Sequence, residues 1–500
     1  MAPYDPPSDP EPGVADAAGQ DPAADWSRLA PTAASSSAKA GASSRPAAPS
    51  RRLAGGRRGQ PERRGPRTLH IVLAVSALGL LLVGTFVVIV VMAVKLQSGT
   101  QARTEGLQKE RRGDLTGALA DFNRAITINS RDAESFVYRG HVQLTLKNWS
   151  AAQADSNQAI QIDPRNAVAY NNRAMAKYFQ GDIAGALADY NMALSLNPAF
   201  AIAYNNRGTA KEKKGDLAGA EADYTQSLKY SPHDLTALDH RAKVRLDLGD
   251  PKGTIADCDS VLSQNPTDLL AYLQRGRARK ADGDLAGAMS DFDQAIKLGP
   301  KEPACFIDRG TAEDAKGDYQ AAMKDDDHAL ALDPKDCTAW NNRAYVHNRL
   351  QEYDQAVDDC NHALSLNPQY EQSFSNRGFA RLKKQQYVEA IADFSQALTI
   401  NPKDRVVYVN RGLARRRIGQ FTEALADYNQ ALELDPKDAF ALVGRGYAKD
   451  GLHDYAGAVA DCQQAITLDA NQQAGLKDDL AAAQAASKKP PADAPQAAKK

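Results

Sequence analysis

Two kinds of apolar pattern divide the chain. From Ile71 to Val94 run 24 residues without a charge, sixteen of them Leu, Ile, Val or Phe. From about residue 100 to 470 the apolar positions alternate with polar ones at helical spacing, in paired stretches that return every 34 residues. In residues 201–232, Tyr204, Gly208 and Lys211 share one face of a first helix, and Ala220 and Tyr224 share a face of a second. Gly215-Asp216 marks the turn between them, and Pro232 closes the unit. Gly208 and Ala220 are expected to let the two helices approach closely while aromatic rings fill the space above and below.

Two rulers carry the period. Proline recurs at Pro164, Pro198, Pro232, Pro266, Pro300, Pro334, Pro368, Pro402 and Pro436, and aspartate at eleven positions from Asp121 through Asp223 and Asp325 to Asp461. A strict period of this length implies stacked helix pairs, each burying its apolar face against its neighbours. Function is then expected from an extended surface.

The unit resembles a tetratricopeptide repeat, matching that family at Tyr204, Gly208, Ala220, Tyr224 and Pro232. The resemblance implies an all-α superhelical solenoid of about eleven 34-residue helix-turn-helix repeats over residues 100–470. Two columns depart from the family pattern: Arg207 replaces leucine and Lys211 replaces tyrosine. Arginine fills the first column in ten repeats, from Arg139 to Arg445, and Lys or Arg fills the second in eight. Both columns face the Asp223 column across the helix pair, so Arg-Asp pairs are expected to replace the leucine packing.

At about 1.5 Å per residue the apolar run 71–94 spans roughly 36 Å, enough for a hydrocarbon core of about 30 Å. It is expected to be a single transmembrane helix, since no other part of the chain could cover it on all sides. Residues 1–68 are Pro/Ala/Ser-rich and expected to be disordered. Arg51, Arg52, Arg57, Arg58, Arg63, Arg64 and Arg67 precede the span. The positive-inside rule then keeps the N-terminus cytoplasmic and faces the repeats outward, toward the periplasm in a bacterial envelope. Ser98-Gly99 is the expected hinge to the first repeat. Residues 471–486 are expected to cap the last repeat as a helix, and 487–500 to be a disordered tail.

Composition narrows the chemistry. A net charge of -1 and 25% charged residues imply no polyanion, so no nucleic-acid partner is expected. Three of the five cysteines, Cys258, Cys360 and Cys462, occupy the packing column of Tyr224, and the one pairing that spacing leaves conceivable is Cys305 with Cys337. No phosphate loop, helical histidine pair or nucleophile elbow occurs, so no catalytic residue, metal, cofactor or small-molecule substrate is expected. Asp326 takes the column of Tyr224 and is expected to turn toward a neighbouring Arg or Lys.

Candidate binding residues lie on the first helices. Asn172, Asn206, Asn342, Asn376 and Asn410 share one column, and a primary amide both donates to and accepts from a peptide backbone. Arg349, Lys383 and Arg417 share another and favour an acidic peptide. The Lys or Arg that related domains place in the Asn206 column or four residues earlier, to clamp chaperone C-termini, is absent here. The function expected is a non-enzymatic, membrane-anchored scaffold that binds other proteins or extended peptides along the repeats. The alternative is a targeting or import receptor with cytosolic repeats, since an N-terminal anchor before such an array also resembles the mitochondrial outer-membrane import receptor.

Overall fold

The computed structural model describes residues 66–468, and among these it contains 22 α-helices and no strand. The leader up to residue 65, the expected capping helix at 471–486 and the tail beyond it lie outside the described residues. The described chain divides into two compact units at His240 and Arg241. The first holds α1 (Pro66–Arg111), α2 (Leu115–Ile128), α3 (Ala133–Thr145), α4 (Trp149–Ile162), α5 (Ala167–Phe179), α6 (Ile183–Leu196), α7 (Ala201–Lys213) and α8 (Leu217–Tyr230). The division falls within α9 (Leu235–Asp247). The second unit continues with α10 (Pro251–Gln264), α11 (Leu269–Ala281), α12 (Leu285–Leu298), α13 (Pro303–Lys316), α14 (Tyr319–Leu332), α15 (Cys337–Arg349) and α16 (Tyr353–Leu366). It ends with α17 (Glu371–Lys383), α18 (Tyr387–Ile400), α19 (Arg405–Arg417), α20 (Phe421–Leu434), α21 (Ala439–Gly451) and α22 (Tyr455–Leu468).

Most repeats turn at one residue and cap at the next. Gly215 adopts φ +84°, a left-handed conformation that costs glycine nothing, and ends α7. Asp216 then caps α8 by accepting a hydrogen bond from the Gly219 amide at 3.0 Å. In four repeats Lys147, Gln351, Gln385 or His453 takes the glycine's place and still adopts positive φ, so the stacking imposes the turn where the sequence does not favour it.

Between paired helices a ring fills the space over a glycine. Tyr224 is fully buried, and a Cβ added to Gly208 would stand 2.6 Å from its ring; Gly378 stands in the same relation to Phe394 at 2.7 Å. Gly208→Ala should therefore destabilise the chain by about 1–3 kcal/mol through overpacking, read as a lower midpoint in thermal denaturation followed by circular dichroism.

The Arg-Asp pairing expected from the two columns is present in both units. All eleven aspartates of the ruler are buried. Arg207 donates through Nε and Nη2 to Asp223 at 2.8 and 2.6 Å, and through Nη1 to Asn191 of the preceding repeat at 2.7 Å. Lys211 Nζ reaches the same aspartate at 2.8 Å. In the second unit Arg275 and Arg279 hold Asp291, which is 1% exposed, while Arg275 Nη1 reaches Asp259 at 2.6 Å. The planar guanidinium has five donors in a fixed fork. It can therefore satisfy a buried carboxylate, bridge to the previous repeat and lie over an aromatic ring, as Arg207 does over Tyr204 at 5.4 Å.

The apolar segment differs from expectation in one respect. No hinge interrupts it at Ser98-Gly99; α1 runs unbroken from Pro66 to Arg111 and forms the first helix of the first repeat. Neither residue removes a backbone donor, and Ser98 Oγ bonds back to the Lys95 carbonyl at 2.8 Å. Packing then favours continuation: Gly99 meets Ile128, Ala102 is buried, and Gly106 lies against the Phe122 ring. The Leu81–Arg111 part is long and apolar enough to cross a membrane, with a mean hydropathy of 2.1 in its most apolar window, and none of that window is buried against the chain.

Candidate functional site

The asparagine column turns out to be engaged within the protein at several rungs. Asn172 Nδ2 donates to the Val137 carbonyl at 3.2 Å, Asn206 Nδ2 to Asn171 Oδ1 at 3.1 Å, and Asn376 Nδ2 to Asn341 Oδ1 at 3.1 Å. Each bond joins one first helix to the first helix before it. The same spacing that would line amides up for a peptide also brings them within reach of the preceding repeat. Asn342 Nδ2 and both polar atoms of Asn410 are buried with no hydrogen-bond partner. Asn410 is wholly buried, so its amide does not present itself for backbone capture.

The basic column is divided. Arg349 and Lys383 line one cleft of about 150 Å³, together with Asn376, whereas Arg417 is exposed at the end of α19 and lines no part of it. The rest of the wall comes from Tyr319, Tyr345, Asn348, Gln351, Tyr353 and Phe379. Tyr319 and Tyr353 open the second helices α14 and α16; Tyr345 and Phe379 lie one turn before the basic residues on α15 and α17. These rings were not singled out in the sequence, although a signal existed: Tyr319, Tyr353 and Tyr387 repeat at the 34-residue period.

The cations are held against those rings. Arg349 donates through Nε and Nη2 to the Tyr319 hydroxyl at 3.1 and 3.0 Å, and its guanidinium lies 5.5 Å from the ring centroid. Lys383 Nζ stands 4.8 Å from the Phe379 centroid. Asn348 Nδ2 donates to the Asn376 carbonyl at 3.0 Å and ties α15 to α17 beneath the cleft.

Two carboxyl groups, on α13 and α14, have abnormal environments. Burial pushes Asp314 up to about 6, with Arg349 and Lys280 acting in the opposite direction. Asp326, expected to turn toward a cation, instead points one carboxylate oxygen into the interior with no partner and is 1% exposed. Burial first, then the neighbouring Asp325, raise its pKa well above the ordinary carboxylate value. The reason is geometric: on α14 the cation of the ladder, Arg309, is taken by Asp325.

None of the five cysteines is joined in a disulfide, Cys305 and Cys337 included. Burial raises Cys305 to about 12 and so suppresses its reactive thiolate. No group of three or more His, Cys, Asp or Glu among the described residues is arranged to hold a metal ion.

Family profiles described as tetratricopeptide repeat match residues 337–370, 372–404 and 406–438, and a further one matches 201–234. A profile described as TPR repeat matches 176–215. No curated protein matches the chain. Among solved structures, the APC/C hetero-tetramer Cut9-Hcn1 is 13% identical, covering 77% of this chain and 96% of its own, with a TM-score of 0.46. A tetratricopeptide repeat protein from Parabacteroides merdae is 20% identical, covering 50% and 98%, with a TM-score of 0.46. Yeast Tom70 is 17% identical, covering 78% and 96%, with a TM-score of 0.39.

Proposed function

The chain is a tetratricopeptide repeat protein, and on that premise we propose that it is a membrane-anchored scaffold that binds extended segments of other proteins on the first-helix face of its repeats. The observation that carries the anchoring is the continuity of α1. An exposed apolar stretch passes, without a break in helix, into a segment whose Gly99, Ala102 and Gly106 pack in the first repeat. A continuous helix of this kind would set the first repeat close to the bilayer. The arginine cluster ahead of it supports a cytoplasmic N-terminus and outward-facing repeats.

On this reading the face offers side-chain contacts more than free amides. Asn206 and Asn376 serve the stacking, and Arg349, Lys383 and Arg417 supply positive charge toward an acidic partner. The repeats require no chemistry of their own to act, because the stacked repeats within each unit present many weak contacts along an extended face.

A reporter enzyme for proximity labelling, fused after Lys500 in the native cells, tests both parts. The labelled chain should remain in membranes after alkaline wash, and removing residues 71–94 should release it. A reproducible set of envelope proteins is the expected result. Labelling of cytosolic chaperones or precursor proteins would reverse the topology in favour of an import receptor, and release of the intact chain by alkaline wash would remove the anchor.

A further inference from the structure

The cleft between α14, α15, α16 and α17 has two cations in its wall and no carboxylate among its lining residues. Its cations are preorganised. Arg349 is fixed by two hydrogen bonds to Tyr319, and Lys383 lies over Phe379, so little side-chain freedom is left to lose when an anion arrives. Its floor is also fixed, through the Asn348 bond to α17.

Size decides the class of ligand. At about 150 Å³ the cleft falls below the roughly 300–1,000 Å³ of sites that enclose a small molecule, and suits one protruding side chain. Charge and surface decide its chemistry: an anion would meet Arg349 and Lys383, and the half-buried ring of Tyr345 offers a place for an apolar neighbour, Phe379 being buried beneath Lys383. We propose that this cleft receives an acidic side chain of an extended partner peptide, with the adjacent apolar side chain laid on Tyr345. The assignment rests on the peptide-scaffold reading above and sharpens it, since Arg417 and every member of the asparagine column except Asn376 stand outside this subsite.

The test uses the full chain in detergent micelles and a dye-labelled octapeptide of alternating Glu and Phe, read by fluorescence anisotropy. The peptide should bind, and weaken as salt rises from 50 to 300 mM (concentrations of about this range span the screening regime). A version with Lys for Glu should not bind, and one with Ser for Phe should bind more weakly. Lys383→Glu should weaken the acidic peptide by about tenfold or more, and Tyr345→Ala by about threefold to tenfold. Lys297→Glu, a change of equal charge at an exposed position of α12, should have no effect. Circular dichroism melts within a few degrees of the wild type establish that the variants are folded; if Lys383→Glu is not, Lys383→Met replaces it.

Equal binding of the Lys peptide, or wild-type affinity in a folded Lys383 variant, overturns the proposal. So does displacement of the peptide by phosphatidylserine vesicles that themselves require Lys383, which would reassign the cleft to lipid headgroups. If the peptide fails while labelled partners in cells survive Lys383→Glu, the cleft assignment falls and the scaffold stands. Loss of both the peptide and any reproducible partner set removes the scaffold reading itself.

Discussion

Replacing Arg309 by leucine, the residue that the repeat family ordinarily carries in this column, should destabilise its repeat by about 3–5 kcal/mol. Arg309 donates through Nε and Nη2 to Asp325 at 2.8 and 2.7 Å, and through Nη1 to Asp293 at 2.8 Å. The bond to Asp325 also holds the guanidinium above its ordinary pKa. In most repeats a second cation reaches the buried aspartate, as Lys211 does for Asp223 and Arg279 for Asp291. Here Glu313 fills that second position, so leucine at 309 leaves Asp325 buried beside an acid.

The control is Arg275→Leu, where Arg279 still holds Asp291; it should cost less, about 1–3 kcal/mol. Arg309→Leu combined with Asp325→Leu should recover much of the loss, because two apolar groups replace a broken buried pair. Repeat arrays unfold by segments, so the readout is hydrogen exchange over residues 303–336 alongside the thermal melt. Wild-type protection in Arg309→Leu would show that the ladder is not what holds the helix pair together.

Asp326→Phe should act in the opposite direction and stabilise the chain by about 2–4 kcal/mol at neutral pH. Asp326 occupies the column that Tyr224, Phe292 and Phe394 fill with rings, and Gly310 lies beside it as Gly208 and Gly378 lie beside theirs. The change removes an unpartnered buried carboxyl group and adds the missing ring.

The sign of the pH dependence follows from the raised pKa values. A carboxyl group whose folded pKa exceeds its unfolded value penalises the fold once it must ionise; the penalty is absent below the unfolded pKa and complete above the folded one. Asp314, at about 6 against an ordinary 3.8, adds its own loss between those values in both proteins and cancels from their difference, which reports Asp326 alone, in a window that opens at the ordinary carboxylate value and extends well above it. Wild-type protein should therefore gain stability between pH 7.5 and about 4.5 relative to Asp326→Phe, so that the difference between the two melts narrows as pH falls. A constant difference would mean that Asp326 titrates alike in the folded and unfolded chain, as a solvated carboxyl group would.

The repeats were legible because their signals are local and repeated. Gly215-Asp216 encodes a left-handed turn and a cap within two residues, and Tyr224 over Gly208 is a single-pair contact that recurs with the period. Even the Arg-Asp ladder could be read, since Arg207 and Asp223 sit on neighbouring helices of one hairpin. The cleft was only half legible. Arg349 and Lys383 announced themselves by charge, but the Tyr319 and Phe379 rings that position them resemble ordinary packing residues in any one repeat.

From the sequence alone came the period, the all-helical pairing, the exposed apolar segment and the alignment of arginine with aspartate, because each depends on spacing within one or two helices. Tertiary structure alone decided that α1 passes through Ser98-Gly99 unbroken, since the favourable packing of Gly99 and Gly106 comes from α2. It also decided that Asn206 and Asn376 are engaged by the preceding repeat, that Asp326 is left without a cation, and that Arg349 and Lys383 share a cleft which Arg417 does not enter. Those outcomes turn on which of several chemically suitable neighbours, about one repeat away along the chain, actually comes within hydrogen-bond distance, and only the stacking of one helix pair on the next sets that distance.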